Sequence, residues 1–95
     1  MDKLSQDAID ERLAQLPDWS QVGDSLQRTF GFDDFVQSRD FFVRVAGIAE
    51  ERQHHPDCLI RYNKVTITMS THDAGGITPK DFELASLIDQ IVVNA

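Results

Sequence analysis

Three prolines punctuate this chain, because proline has no backbone N–H to donate and its ring clashes with the preceding helical turn. Pro17 ends any helix begun near the N-terminus, Pro56 ends the next, and Pro79 stands where a last one can begin. The residue before a proline is itself pushed toward extended backbone, so the helix ahead of Pro56 must stop by about Gln53. His54 and His55 therefore fall on the exit from that helix.

The segments between these stops have clear periods. Ser5 is an N-cap, with Asp7 and Asp10 suited to the positive end of a helix dipole and Leu4, Ile9, Leu13 and Leu16 as the apolar stripe. Trp19 to Val22, the turn Gly23-Asp24-Ser25 and Leu26 to Phe32 read as a hairpin, although Arg28 interrupts the apolar set. Asp33 or Asp34 caps a long helix with Gln37 in the capping-box position, and Phe35, Phe42, Val45, Ala46 and Ala49 recur at helical spacing on its inward side. Leu59 to Tyr62 and Val65 to His72 form a second hairpin around Asn63-Lys64, with His72 on its polar face. Thr78, Pro79 and Asp81 supply an N-cap, a first-turn proline and a capping-box acid for a helix to about Val93, with Leu84, Leu87, Ile88 and Ile91 inward.

The predicted order is α-β-β-α-β-β-α, an α+β fold with a four-stranded antiparallel sheet and three helices packed on one face. At 95 residues, with no repeat and no Gly-, Pro- or Ser-rich linker, the chain reads as a single domain over 1–95. No apolar run reaches the roughly 18 residues of a membrane span. A net charge of −7 opposes binding to nucleic acid, where affinity rests on cations that displace counterions from phosphate. The one cysteine, Cys58, forms no internal disulfide, and the first residues have no apolar signal core, so a cytoplasmic location is expected.

All three histidines sit in two short stretches, Glu50 to Pro56 and Thr71 to Asp73, each beside carboxylates. Imidazole both donates and accepts a proton near neutrality, which points to acid/base chemistry. The same donors leave a second enzymatic reading: Glu50 and His54 at helical i, i+4 spacing, with His55 and His72, as ligands for zinc. Adjacent histidines seldom aim both rings at one ion, so the acid/base reading is preferred.

Glu50 four positions before His54-His55-Pro56, then Tyr62-Asn63, Thr71-His72-Asp73, Gly76, Thr78 and Asp81, with Asp18-Trp19 and Phe30-Gly31-Phe32 ahead of the long helix, resemble the pterin-4a-carbinolamine dehydratases over residues 4–93. One position departs from the pattern: two residues after the proline, where many members carry tryptophan, this chain has Cys58. The resemblance implies a hydro-lyase that dehydrates 4a-hydroxytetrahydropterin to quinonoid dihydropterin and water in tetrahydropterin recycling, with no metal and no organic cofactor. It implies His54 and His72 as the acid/base pair, and His55 as a pterin-contacting group that shares in catalysis. Glu50 and Asp81 become orienting carboxylates, with Glu50 one helical turn before His54, and Pro56, Asp57, Cys58, Thr71 and Asp73 join His55 in substrate binding. A homodimer or homotetramer is implied, because open sheet edges are paired or covered in natural proteins, and an aromatic amino-acid hydroxylase is a candidate partner in the same pathway. The alternative is a non-catalytic dimerisation or assembly module on the same fold.

Overall fold

Where each helix begins follows from its cap. A computed structural model describes residues 2–93; Met1, Asn94 and Ala95, the ends of the domain read over 1–95, lie outside the described residues. Helix α1 (Gln6–Leu13) starts at Ser5, whose Oγ accepts the Ala8 N–H at 3.2 Å. Helix α2 (Phe35–Arg52) starts at Asp34, whose Oδ1 accepts the Gln37 N–H at 2.9 Å. Helix α3 (Pro79–Val93) starts after Thr78, whose Oγ1 accepts the Lys80 N–H while the Asp81 carboxylate accepts the Thr78 N–H, a reciprocal capping box.

Strands β1 (Ser20–Val22), β2 (Ser25–Gly31), β3 (Asp57–Arg61) and β4 (Lys64–Met69) form one antiparallel sheet in the order β1-β2-β4-β3. Successive side chains alternate faces, so Leu26 and Phe30 on β2, Val65, Ile67 and Met69 on β4, and Cys58 and Ile60 on β3 all point to the helices. Ile9 from α1, Phe41 and Val45 from α2, and Phe82, Leu84, Ala85, Ile88 and Ile91 from α3 complete a single core on that face. The opposite face is mostly polar, with Val22 and Leu59 exposed on it: Gln27 donates to Thr68 at 3.0 Å, and the Thr29 and Thr66 hydroxyls bond at 2.8 Å. Arg28, the interruption in β2, does turn inward, and it is matched there. Its guanidinium donates to Asp89 at 2.8 Å, lies 4.2 Å over the Phe30 ring, and shares Asp89 with the Trp19 indole N–H.

The structure corrects the sequence reading in three places. Helix α2 buries Ser38, Phe41, Val45 and Ala49, whereas Phe35 is 48% exposed and Ala46 faces solvent. Ser38 is what allows the rotation, since its hydroxyl donates to the Asp34 carbonyl within its own helix and needs no partner from the core. The second hairpin turns at Tyr62-Asn63, one residue earlier than expected, because Arg61 pairs with Lys64 and Tyr62 adopts a left-handed φ of 50°. His72 is not on a strand. The last pairs of β4 are Leu26 with Met69 and Asp57 with Thr68, so from Ser70 onward neither flanking strand continues the ladder, and His72–Ala74 form a short 3₁₀ turn.

Ile67 sits fully buried on the central strand β4 between β2 and β3. Ile67→Ala should lower unfolding free energy by about 2–5 kcal/mol through lost burial and the cavity left behind, read as a shift in the urea midpoint with an unchanged slope.

Candidate active site

The end of α2 decides where the histidines go. Gln53 closes the helix in a left-handed conformation, φ 52° and ψ 42°, and the His54 N–H reaches back to the Ala49 carbonyl at 3.1 Å, a Schellman-like stop. The Gln53 side chain stabilises this turn by donating to the Glu50 carbonyl at 2.8 Å and to its carboxylate at 2.9 Å. The backbone therefore leaves the helical path just before His54, and the expected one-turn spacing from Glu50 to His54 is not realised.

Glu50 instead meets His55, Oε1 to Nε2 at 3.2 Å, with both side chains more than half exposed. Hydrogen bonds from His55 and then Gln53, with the nearby His55 charge, hold its carboxyl below the usual range for glutamate. The carboxylate on His54 is Asp81, from the first turn of α3, with Oδ1 2.6 Å from Nε2. Asp81 is fully buried and saturated: its Oδ2 accepts the Thr71 hydroxyl at 2.8 Å and the Thr78 N–H at 2.9 Å. A buried carboxylate is tolerated only when paired and hydrogen-bonded, and three donors meet that condition.

An open cleft of about 240 Å³ runs between these elements, lined by Gln53, His54, His55, Ser70, Thr71, His72, Asp73 and Lys80. All three histidines thus border one space. The isolated bridge between Thr71 and Gly76 holds the intervening turn, where Gly75 takes a left-handed φ of 74°, and presents His72 and Asp73 at the rim. The bottom of that turn is fastened by the segment ahead of α1, Leu4 N–H to the Ile77 carbonyl at 2.8 Å.

Other residues expected at the substrate stand elsewhere. Pro56 and Asp57 do not line the cleft, Asp57 lying exposed at the start of β3. Cys58 faces the helices, half-buried against the core, because strand alternation turns it inward beside Ile60. Desolvation is the main reason its thiol is pushed above the ordinary cysteine value, with the Asp57 charge adding to the shift. Thr71 lines the cleft, but its hydroxyl is engaged with Asp81 and Thr78. Gln53, Ser70 and Lys80, which the sequence reading passed over, are on the wall; their place next to His54, Thr71 and Asp81 in the chain was the available signal. Among the described residues no three His, Cys, Asp or Glu side chains gather as a metal-binding group, since Glu50 is turned to His55 and His54 to Asp81.

Residues 2–91 match the family described as pterin 4 alpha carbinolamine dehydratase. A relative from Cyanothece sp., provisionally named pterin-4-alpha-carbinolamine dehydratase, is 51% identical over 93% of this chain and 91% of its own. A relative from Chloroflexus aurantiacus with the same provisional name is 49% identical over 97% of this chain and 99% of its own. The crystal structure of a transcriptional coactivator/pterin dehydratase from Brucella melitensis superimposes with a TM-score of 0.91 at 32% identity, covering 95% of this chain and 98% of that one. A pterin dehydratase-like protein identified as a RuBisCO assembly factor in the alpha-carboxysome shares the fold at a TM-score of 0.62 and 23% identity, over 76% of this chain and 83% of that one.

The two carboxylates should respond very differently to neutralisation. Asp81→Asn puts an NH₂ or a weaker acceptor against three donors, and should cost about 1–3 kcal/mol of stability in a urea titration. Glu50→Gln, at a solvated site, should leave the melting temperature unchanged.

Proposed function

We propose that this chain, which belongs to the pterin 4 alpha carbinolamine dehydratase family, dehydrates 4a-hydroxytetrahydropterin to quinonoid dihydropterin and water by histidine acid/base catalysis. The observation that carries this reading is the close pair of His54 with the buried Asp81 on a cleft that His55 and His72 also border. The reaction breaks the C4a–O bond, so the departing hydroxyl must gain a proton while the adjacent ring nitrogen loses one. An imidazole fixed by a carboxylate suits one transfer, and an imidazole free at the rim suits the other. Positioned proton transfer of this kind supplies about 10²- to 10⁴-fold, which fits a carbinolamine whose own nitrogen helps expel the hydroxyl.

In this mechanism His54 and His72 are the acid/base pair. Asp81 holds the His54 ring and pairs with the imidazolium formed when the ring takes a proton, and the two histidines exchange roles with the stereochemistry of the hydroxyl. His55, steadied loosely by Glu50, contacts the pterin and shares in proton transfer. The step calls for no metal and no organic cofactor. Tetrahydropterin recycling beside an aromatic amino-acid hydroxylase, in the cytoplasm, is the setting in which this product has a use. The alternative, a non-catalytic dimerisation or assembly module on the same fold, accounts for Asp81 as a structural cap but gives no role to three histidines gathered on one open cleft.

The reading extends to assembly. Strands β1 and β3 are sheet edges with unpaired backbone groups, and Val36 and Val43 stand 50% and 60% exposed on α2. Both features suit burial against further copies of the chain, with a dimer as the minimum and a tetramer as the next closed assembly.

Two measurements test these statements. His54→Ala and His72→Ala should each lower kcat by about 10²-fold or more in an assay on freshly generated 4a-hydroxypterin, with the melting temperature close to wild type for His72→Ala; wild-type turnover removes that histidine from its role. Sedimentation equilibrium at micromolar concentration should return a multiple of 10.8 kDa, and a fully active monomer would refute the assembly.

A further inference from the structure

The hydrogen bonds behind His54 form a line in which every proton can be assigned. Thr71 has one hydroxyl hydrogen and two partners, the Asp81 Oδ2 at 2.8 Å and the Thr78 Oγ1 at 2.7 Å. A carboxylate only accepts, so the Thr71 hydrogen goes to Asp81. Thr78 must then donate its own hydrogen to Thr71. It is free to do so, because the Lys80 N–H at 3.2 Å approaches the same Thr78 oxygen as a donor. The line thus runs in one direction, from Lys80 N–H through Thr78 and Thr71 to Asp81. With the Thr78 N–H also on Oδ2, that oxygen holds two donors, and Oδ1 remains for the His54 Nε2 at 2.6 Å.

From this ordering we infer that Thr71 and Thr78 are positioning residues that lock Asp81 as an acceptor, hold the His54 proton on Nε2, and leave Nδ1 as the nitrogen that works on the substrate. The opposite neutral tautomer would set the Nε2 lone pair against a carboxylate oxygen at 2.6 Å, a repulsion with no donor to relieve it. Thr78 and Asp81 are fully buried, so water reaches the line only from its partly buried ends at Thr71 and His54. The side chain of Thr71 thereby belongs to the back of the site rather than to substrate binding. Its place in the bridge with Gly76 fixes its hydroxyl relative to the start of α3, so the line spans the end of the sheet, the turn and the helix cap.

The kinetic consequence rests on the dehydratase reading above, but the proton positions do not, and the test separates them. Proton and nitrogen NMR on protein labelled with ¹⁵N at histidine should show His54 carrying a slowly exchanging, downfield Nε2 proton and an unprotonated Nδ1 at a pH where the ring is neutral. Thr71→Val keeps the branched shape and removes the hydroxyl. It should speed exchange of that proton with water about tenfold and lower kcat about tenfold with a much smaller change in KM, the loss expected when a buried acceptor and donor lose their shared partner. Thr71→Ser, which retains the hydroxyl, should recover the resonance and most of the turnover. A wild-type His54 protonated on Nδ1 with Nε2 bare, or a Thr71→Val protein whose Nε2 proton exchanges as in the wild type, overturns the inference. A wild type with the predicted resonances and no dehydratase activity would instead refute the catalytic reading and leave the line of hydroxyls standing.

Discussion

One buried carboxylate organises this molecule. Asp81 has no contact with solvent, and an ionised group in that position is tolerated only if its partners are built in. Its three donors come from three different places: His54 from the exit of α2, Thr71 from the chain just past β4, and the Thr78 N–H from the cap of α3. Satisfying one side chain therefore fixes the relative positions of two helices and the end of the sheet. The same bonds cap a helix and orient a candidate catalytic ring, so stability and site geometry are not separable at this point.

The cleft exists because the sheet runs out there. Strand β4 is paired on both sides through Thr68 but has only β2 at Met69. Beyond Met69 the chain needs another way to satisfy its backbone, and it finds one in the Thr71–Gly76 bridge and the turn it encloses. That turn rises as one wall. The other is the Schellman-like stop of α2, which throws His54 and His55 off the helix axis. Two chain terminations facing each other leave a gap that side chains with polar tips can border, whereas the continuous part of the sheet is closed over by helices.

Much of this was readable in the sequence because it is local. Ser5, Asp34 and Thr78 with Pro79 mark the helix starts by chemistry that acts within three residues, and the inward alternation of Val65, Ile67 and Met69 is a property of any half-buried strand. Relations that depend on tertiary placement were not. The pair of His54 with Asp81 joins residues 27 apart, and no periodicity links them; only the family resemblance marked Asp81 as an orienting carboxylate, without its partner. The expectation that Glu50 would serve His54 assumed that the helix continued, and a glutamine in the left-handed region does not announce itself as a stop in the way glycine would. Tyr62 shifted the hairpin turn for the same reason. On α2 the bulk of Phe35 outweighed Ser38 in a reading by hydrophobicity, although a serine whose hydroxyl bonds its own helix packs inward at little cost.

The site also divides its histidines by how firmly each is held. His54 is pinned by a carboxylate at 2.6 Å that is itself immobilised. His55 meets an exposed glutamate at 3.2 Å, a contact that solvent competes for and that costs little to break. His72 sits exposed on a 3₁₀ turn with its ring facing the cleft and no side chain bound to it among the described hydrogen bonds. A proposed dehydration that accepts either face of a hydroxylated ring needs this inequality. One proton-transfer group must keep a fixed position so that the flat substrate has a reference, and the other must adjust to wherever the hydroxyl stands. Fixing all three rings would restrict the site to one stereoisomer, and freeing all three would forfeit the entropy already spent in orienting the first.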